Sequence, residues 1–442
     1  MSTPDHTVLV VGGGFAGVGC ARELARKHIA VTLVDRNDYH QFQPLLYQLA
    51  TAQLAVSDIA RPLRGIFVKD EHVRVVTGTV TGVDPSARSV TFEDGMTLEG
   101  DVLVLAAGAR PNFFDTPGAE EHAFPLYSVD DAERLRSRLL GLFDSVDRDP
   151  TLVDRGALTV VIVGAGATGV EIAGALGDLF QHVAPKAYKG IPIDRARIVV
   201  VDHGQTVLNG FSDKAHQYAS SKLDDLGVER MLGVGVAAVD EGSVTLSDGT
   251  TIATHLVVWA GGEKAAGMIE AAGLPTGRGG RVDVERDLTV ADHDDVYVLG
   301  DAANIRDEHG EVLPQLGSVA QQSGKWAAAN IARHLDGHDR KPFEYEDKGI
   351  MAMIGRNAAI AELGKGRHEI DGPFAFAAWL GVHATLLEGT RQKLGALMTW
   401  GWDYASKRRP TALVDHPDDY RIDWGDDDST EVASADPAPG AA

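Results

Sequence analysis

The sequence predicts an α/β protein: two doubly wound domains, one inserted in the other, followed by a C-terminal amphipathic helical region. Three observations carry this. Two glycine-rich turns stand about 150 residues apart, Gly12-Gly-Gly14-Phe-Ala-Gly17 and Gly164-Ala-Gly166-Ala-Thr-Gly169. Each follows an aliphatic run, Val8-Leu-Val-Val or Val160-Val-Ile-Val, and opens a helix-compatible stretch, Val18 to Lys27 or Val170 to Phe180. After each turn the same elements recur: a strand pair turning at Glu93-Asp-Gly95 or Ser247-Asp-Gly249, then an apolar strand ending in glycine, Asp101 to Gly108 or His255 to Gly261. Such repetition indicates one unit inserted into another.

In a strand–turn–helix of this kind the first glycine makes the tight turn. The second lets the backbone approach a pyrophosphate, and the third lets the helix pack closely on the strand. Gly12, Gly14 and Gly17 take these roles in the first unit, and Gly164, Gly166 and Gly169 in the second, giving two Rossmann-like dinucleotide-binding domains. Each helix N-terminus adds free N–H groups and partial positive charge. Asp35, closing Ala30-Val-Thr-Leu-Val-Asp35, and Asp202, closing Arg197-Ile-Val-Val-Val-Asp202, are placed to accept ribose hydroxyls. A carboxylate there repels a 2′-phosphate, so the second site is expected to prefer NADH to NADPH. A further strand, Asp295-Val-Tyr-Val-Leu-Gly300-Asp301, returns the chain to the first unit. Asp301 there suits the ribityl hydroxyls of FAD, or caps the next helix.

Composition narrows the partners. The 442-residue chain carries a formal charge of −23, which argues against nucleic acid, since phosphate binding needs excess lysine and arginine. Its one cysteine, Cys20, permits no disulfide, zinc site or dithiol motif within the chain and reads as a small buried residue. Electrons taken up by a flavin must then leave for an acceptor that diffuses in. No metal site is expected. Met1-Ser-Thr-Pro-Asp-His leads straight into the first strand with no signal-peptide pattern, so a cytoplasmic location is expected. The longest apolar stretch, Phe374 to Leu387, is interrupted by Gly381 and His383 and falls short of the roughly 20 residues that span a bilayer.

The full order of turns, with Ala107-Gly108-Ala-Arg-Pro111 and Leu299-Gly300-Asp301, resembles the two-dinucleotide-binding-domain, glutathione-reductase-like flavoprotein reductases over residues 5–345. The resemblance implies an FAD-binding domain formed by residues 1–125 and 285–345 and an NADH-binding domain over 126–284. A membrane-associating or dimerising region over 346–420 and an acidic disordered tail over 421–442 complete the expected organisation.

Three local motifs are more specific: Asp35-Arg-Asn-Asp-Tyr-His-Gln-Phe-Gln43-Pro44-Leu-Leu-Tyr47-Gln48-Leu-Ala-Thr51, Thr168-Gly-Val-Glu171-Ile-Ala-Gly174, and Lys348-Gly-Ile-Met-Ala-Met-Ile-Gly355-Arg. Together they look like the type II NADH:quinone oxidoreductases, single-subunit respiratory dehydrogenases that do not pump protons, from residue 7 to about 415. This implies FAD-dependent oxidation of NADH with two electrons passed to a membrane quinone, and places Gln43 and Ala107 beside FAD. The family's flavin-side helix usually begins Ala-Gln-x-Ala-x-Gln. Here Ser318 is read at the first glutamine and Gln322 at the second, on one helical face but with a shorter side chain at the first. That departure keeps open a soluble NADH-dependent diaphorase or oxidase, or an FAD- and NADH-binding redox sensor. Glu171 is either a proton source for the quinone or an acid favoured near a helix N-terminus. Lys348 either touches the flavin edge or quinone mouth, or is a solvated surface lysine.

The segment 374–409 reads as two helices split near Glu388-Gly389. Phe374, Phe376, Trp379, Leu380, Val382, Leu386 and Leu387 make the first apolar; Leu394, Leu397, Met398, Gly401, Trp402 and Ala405 recur at helical spacing along the second. Arg391, Lys393, Lys407, Arg408 and Arg409 outnumber Glu388 and Asp403. With Trp379, Trp400, Trp402 and Tyr404 as an interfacial belt, this suits an anionic membrane surface. A homodimer contact is the other reading. The expected location is peripheral, on the cytoplasmic face of the cell membrane.

Overall fold

The computed structural model describes residues 6–422, apart from 407 and 410, and residue 424. The two glycine-turn strands are the centres of two parallel sheets. In the first, Thr7–Val11 lies between Ala30–Asp35 and Val102–Leu105, with Val73–Thr77 and His293–Val298 outside them. In the second, Thr159–Val163 lies between Arg197–Asp202 and Leu256–Trp259, with Val228–Leu232 and Ala123–Pro125 outside. The order about each centre is the same, so the repeat in the sequence is a repeat of topology. Thr159–Val163 and Val102–Leu105 are buried at every position, as expected of parallel strands covered on both faces. Each sheet carries a three-stranded antiparallel meander just before Val102–Leu105 or Leu256–Trp259, turning at Gly95 and Gly249 with φ of +85° and +88°.

Five helices position the chemistry: α1 (Phe15–Arg26), α2 (Leu46–Ala50), α3 (Val129–Arg148), α4 (Ala167–Asp178) and α5 (Gly317–Leu335). Helix α5 meets α1 so closely that a Cβ on Gly324 would stand 2.1 Å from the Ala16 carbonyl oxygen. One face of α4 covers its own sheet. The other packs on an antiparallel sheet of Gly349–Gly355, Ala358–Leu363 and His368–Asp371, where a Cβ on Gly174 would lie 1.9 Å from the Ile354 oxygen. Sequence periodicity gave no sign of this sheet, because Ala358–Leu363 is buried at five of its six positions and lacks alternation.

The C-terminal hairpin follows as α6 (Gly372–Leu386) and α7 (Thr390–Ser406), parting at Gly389 with φ +95°. Its turn is fixed to the first domain by a two-point ion pair in which Arg22 donates to both oxygens of Glu388 at 3.0 and 2.8 Å. The chain then runs back along α3, where Ser137 Oγ accepts from the Asp415 and His416 amides at 3.2 and 3.1 Å. Most of the expected acidic tail, residues 425–442 with Asp423, lies outside the described residues.

Candidate active site

The two glycine turns are near copies at atomic detail. Gly12 and Gly164 have φ of +109° and +105°, and a Cβ on either would overlap the carbonyl oxygen of Ala106 or Ala260, at 2.1 and 2.5 Å. A Cβ on Gly17 or Gly169 would fall 1.8 or 1.9 Å from the oxygen of Gly12 or Gly164. By contrast, nothing lies within 4 Å of a Cβ on Gly14 or Gly166. Both middle glycines therefore face open space at the start of a helix with no side-chain cap and no acidic residue in its first turn. That leaves the first N–H groups of α1 and α4 for an anion.

The acids match as well. Asp35 accepts from the Gly13 and Asn37 amides at 2.5 and 2.7 Å, and Asp202 from the Ala165 and Gly204 amides at 2.6 Å each. Each carboxylate braces its glycine turn from the end of the next strand. Beneath the first turn, His40 Nδ1 donates to the Gly13 carbonyl at 2.8 Å, and burial lowers its pKa, keeping the ring neutral. Ala107 runs under Gly12, and Gln43 Nε2 donates to the Tyr127 carbonyl at 3.4 Å.

Asp301 carries a buried oxygen without a partner among the described residues. Burial pushes its carboxyl up to about 6, against the opposing pull of Arg281, and its Oδ1 has no hydrogen-bond partner among the described residues. A buried acceptor of this kind fits the polyol chain of FAD, a partner the polypeptide does not itself supply. Glu263 nearby is pushed up to about 7 by burial and by Asp301.

A cavity of about 490 Å³ opens between α4, the sheet behind it and the C-terminal hairpin. It falls within the range of about 300–1,000 Å³ common for small-molecule sites. Phe376, Leu380, Leu397 and Trp400 give it apolar walls; Glu171, Tyr47 and Gln48 are polar. Glu171 is partly buried at the cavity wall, and desolvation drives its carboxyl up to about 8 despite a hydrogen bond from the Met353 amide at 3.2 Å and the nearby Trp379 indole. It stands past the first turn of α4, so the dipole reading of this acid does not account for its place at the cavity wall. On another wall Asp178, Arg356, Asp403 and Arg409 form a charge-balanced cluster. Arg409 meets Asp178 at 3.0 Å and Asp403 at 3.5 Å, and Arg356 meets them at 3.3 and 3.5 Å. Mutual pairing of this kind is what permits four charges to be buried together.

Residues 6–324 match the pyridine nucleotide-disulphide oxidoreductase family. The type II NADH:quinone oxidoreductase Ndh of Mycobacterium tuberculosis is 36% identical over 419 residues, 91% of this chain and 89% of that one. The chain belongs to the type II NADH:quinone oxidoreductases. Another relative, the type II NADH:quinone oxidoreductase of Staphylococcus aureus strain NCTC 8325, is 30% identical over 81% of this chain and 90% of its own. The fold is also that of NDH2 from Plasmodium falciparum, solved in complex with NADH, at a TM-score of 0.84 and 18% identity over 92% of this chain and 99% of that one.

Within this type II oxidoreductase three of the expected site residues, Ser318, Gln322 and Lys348, lie outside the lining of this cavity. Ser318 Oγ bonds the Tyr345 hydroxyl at 2.9 Å, and Gln322 is tied at both ends of its amide to the Glu346 backbone at 3.0 Å. Both fasten α5 to the following segment and neither lines the cavity. Helix spacing identified a shared face but not which way that face turns. Gln321, one position earlier, instead points to a small polar crevice beside His40, Arg22 and Glu388. Lys348 is exposed and does not line the cavity. Cys20 is fully buried and burial pushes its thiol up to about 12, so this member of a disulphide-named family has no thiolate to offer.

The hairpin also divides differently. Trp379 and Trp400 are buried, 0% and 6% exposed, and serve as core rather than an interfacial belt. Arg409 and Asp403 belong to the buried cluster rather than the basic face, and Lys407 lies outside the described residues. What remains outside is Phe374, Val382, Leu386, Leu394, Leu397, Met398, Trp402 and Tyr404, with Arg391 and Arg408 also exposed. Tyr47 and Gln48, in the middle of the Asp35–Thr51 motif, stand on α2, where all five residues are buried, and no periodicity in the sequence marks these two polar side chains as cavity lining.

Proposed function

We propose that the first glycine turn, with Asp35 and Asp301, holds FAD; that the second, with Asp202, holds NADH; and that a quinone is reduced in the cavity beside Glu171. The chain is an NADH:quinone oxidoreductase, and the observation that supports this division is the cavity itself. It joins the base of the second dinucleotide helix to the groove between α6 and α7. FAD, when bound, accepts a hydride from NADH and returns two electrons to the acceptor. The protein's own contribution is to orient both dinucleotides and exclude water. It also holds a proton on Glu171, where reduction of a quinone to a hydroquinone consumes two.

Anaerobic titration of the purified protein tests the assignment in order. NADH should bleach the flavin at micromolar concentration while NADPH needs far more, and menaquinone or ubiquinone analogues should restore the colour. Asp202→Ser should narrow the NADH-to-NADPH preference by about tenfold, the worth of roughly 1.4 kcal/mol at the ribose. An unchanged ratio removes Asp202 from the ribose.

The exposed apolar residues of α6 and α7, flanked by Arg391, Lys393 and Arg408, are the membrane-facing surface in this reading. No helix among the described residues is long and apolar enough to cross a membrane. In this reading docking is peripheral, on the cytoplasmic face, with the cavity mouth turned to the lipid where quinone dissolves. In co-sedimentation with vesicles containing phosphatidylglycerol, the wild type should pellet at low salt and be released as salt rises. Leu394→Glu, Met398→Glu and Trp402→Glu together should keep it in the supernatant with full ferricyanide reductase activity. Undiminished pelleting of the triple variant removes this surface.

A further inference from the structure

The cavity wall contains a short hydrogen-bond relay whose direction is fixed by chemistry. Trp400 Nε1 donates to Gln48 Oε1 at 2.7 Å. An indole nitrogen only donates, so this contact fixes the oxygen of the Gln48 amide toward α7 and its NH2 toward α2. That NH2 donates to the Tyr47 hydroxyl oxygen at 3.0 Å. The Tyr47 oxygen is thereby an acceptor within the relay, and its own O–H must point away from Gln48. Among the described residues, none accepts it. Tyr47 is 3% exposed and lines the cavity.

We propose that Tyr47 is a further catalytic residue, a hydrogen-bond donor to a carbonyl oxygen of the quinone, aimed by Trp400 through Gln48. This rests on the reading of the cavity as the quinone site. The acceptor chemistry it fits is a carbonyl at the edge of an otherwise apolar ring: the Tyr47 hydroxyl is a neutral donor, and Phe376, Leu380, Leu397 and Trp400 give the same cavity its apolar walls. Burial pushes the Tyr47 phenol well above its ordinary range, and the charge that Glu171 takes when it loses its proton raises it further. The group therefore keeps its proton and acts by holding a hydrogen bond. Negative charge that grows on the quinone oxygen during electron uptake strengthens that bond, so the donor favours the transition state over the resting quinone.

The relay also gives α7 a part in the chemistry. Trp400 belongs to the hairpin and Gln48 to the first domain, so a displaced hairpin would leave the Gln48 amide free to rotate and Tyr47 without a fixed direction. Tyr47 further packs edge-on against Trp379 of α6, with ring centroids 6.4 Å apart. Both helices of the hairpin thus bear on one hydroxyl.

The test is Tyr47→Phe, which keeps the ring and its packing. Stopped-flow reduction of the flavin by NADH should be unchanged, and ferricyanide turnover should be unchanged. Reoxidation by a menaquinone or ubiquinone analogue should slow by about 100- to 1,000-fold, the usual range for loss of one such donor. In infrared difference spectra the bound quinone should show a C=O band shifted down by the hydrogen bond in the wild type and restored upward in Tyr47→Phe. Trp400→Phe, which frees the Gln48 amide, should give a partial loss with the same acceptor selectivity. Reoxidation of Tyr47→Phe by quinone at the wild-type rate, or an unmoved C=O band, overturns the assignment. A wild type that reduces ferricyanide but no quinone instead overturns the reading of the cavity, a different result. Flavin content and melting temperature of both variants separate a lost fold from a lost donor.

Discussion

Gly17→Ala is expected to purify without flavin, whereas Gly169→Ala is expected to purify yellow and to resist reduction by NADH. The geometry at the two positions is nearly identical, with an added Cβ 1.8 or 1.9 Å from a backbone oxygen of the same turn. Backbone cannot yield as the tip of a side chain can. The helix must back away from the strand by over an ångström, carrying its N-terminal N–H groups off the pyrophosphate. Overpacking of this kind costs about 1–3 kcal/mol in stability, and misplacing a binding group by about 1 Å can weaken its action on the order of 10²-fold. The pair is informative because fold damage should be similar in both while the lost cofactor differs. The ratio of flavin to protein absorbance reads the first, and bleaching by NADH against bleaching by dithionite reads the second. A yellow Gly17→Ala protein that NADH cannot bleach would exchange the two turns' assignments.

Why were these turns legible and other parts of the site not? A glycine turn is local: the strand, the three glycines and the acid about twenty to thirty residues on are all set by short-range sterics that leave marks in the sequence. The place of Asp301 just past a strand end was legible for a similar reason, since that strand belongs to a repeated pattern. The face of α5 was not. Ser318 and Gln322 were rightly placed one turn apart, but only the contact with Tyr345 and Glu346 decides that their face turns from the cavity. In the hairpin, apolar spacing predicted both helices and their break at Gly389 but not their orientation, because Trp379 and Trp402 look alike as letters. Burial of Trp379 follows from a sheet at residues 349–371 that no periodicity revealed. Arg409 was misplaced for the complementary reason: a basic residue beside others reads as surface unless its partners, Asp178 and Asp403, are known to be buried with it.

Glu171→Gln should slow quinone reduction more than hydride transfer and should flatten the pH dependence of the quinone step. Burial holds the Glu171 carboxyl at about 8, so in the folded protein it is protonated at neutral pH and loses its proton as pH rises through that value. If it supplies a proton to the reduced quinone, the rate of flavin reoxidation falls on the alkaline side of about 8 in the wild type. The amide keeps the shape and a donor N–H but has no proton to give, so its rate is lower throughout and shows no such limb. Stability provides an independent reading of the same shift. A carboxyl whose folded pKa is raised binds its proton more tightly when folded, so its contribution is fully favourable below the unfolded value near 4.5 and is lost progressively up to about 8. At about 1.4 kcal/mol per pH unit, a shift of this size makes the wild type several kcal/mol less stable at alkaline pH than Glu171→Gln, relative to their difference in acid. Thermal melts across pH 5 to 9 would register that gap as a widening difference in melting temperature. Parallel melting curves would mean that Glu171 is not buried as a neutral acid, and equal slowing of both half-reactions would remove its proton role.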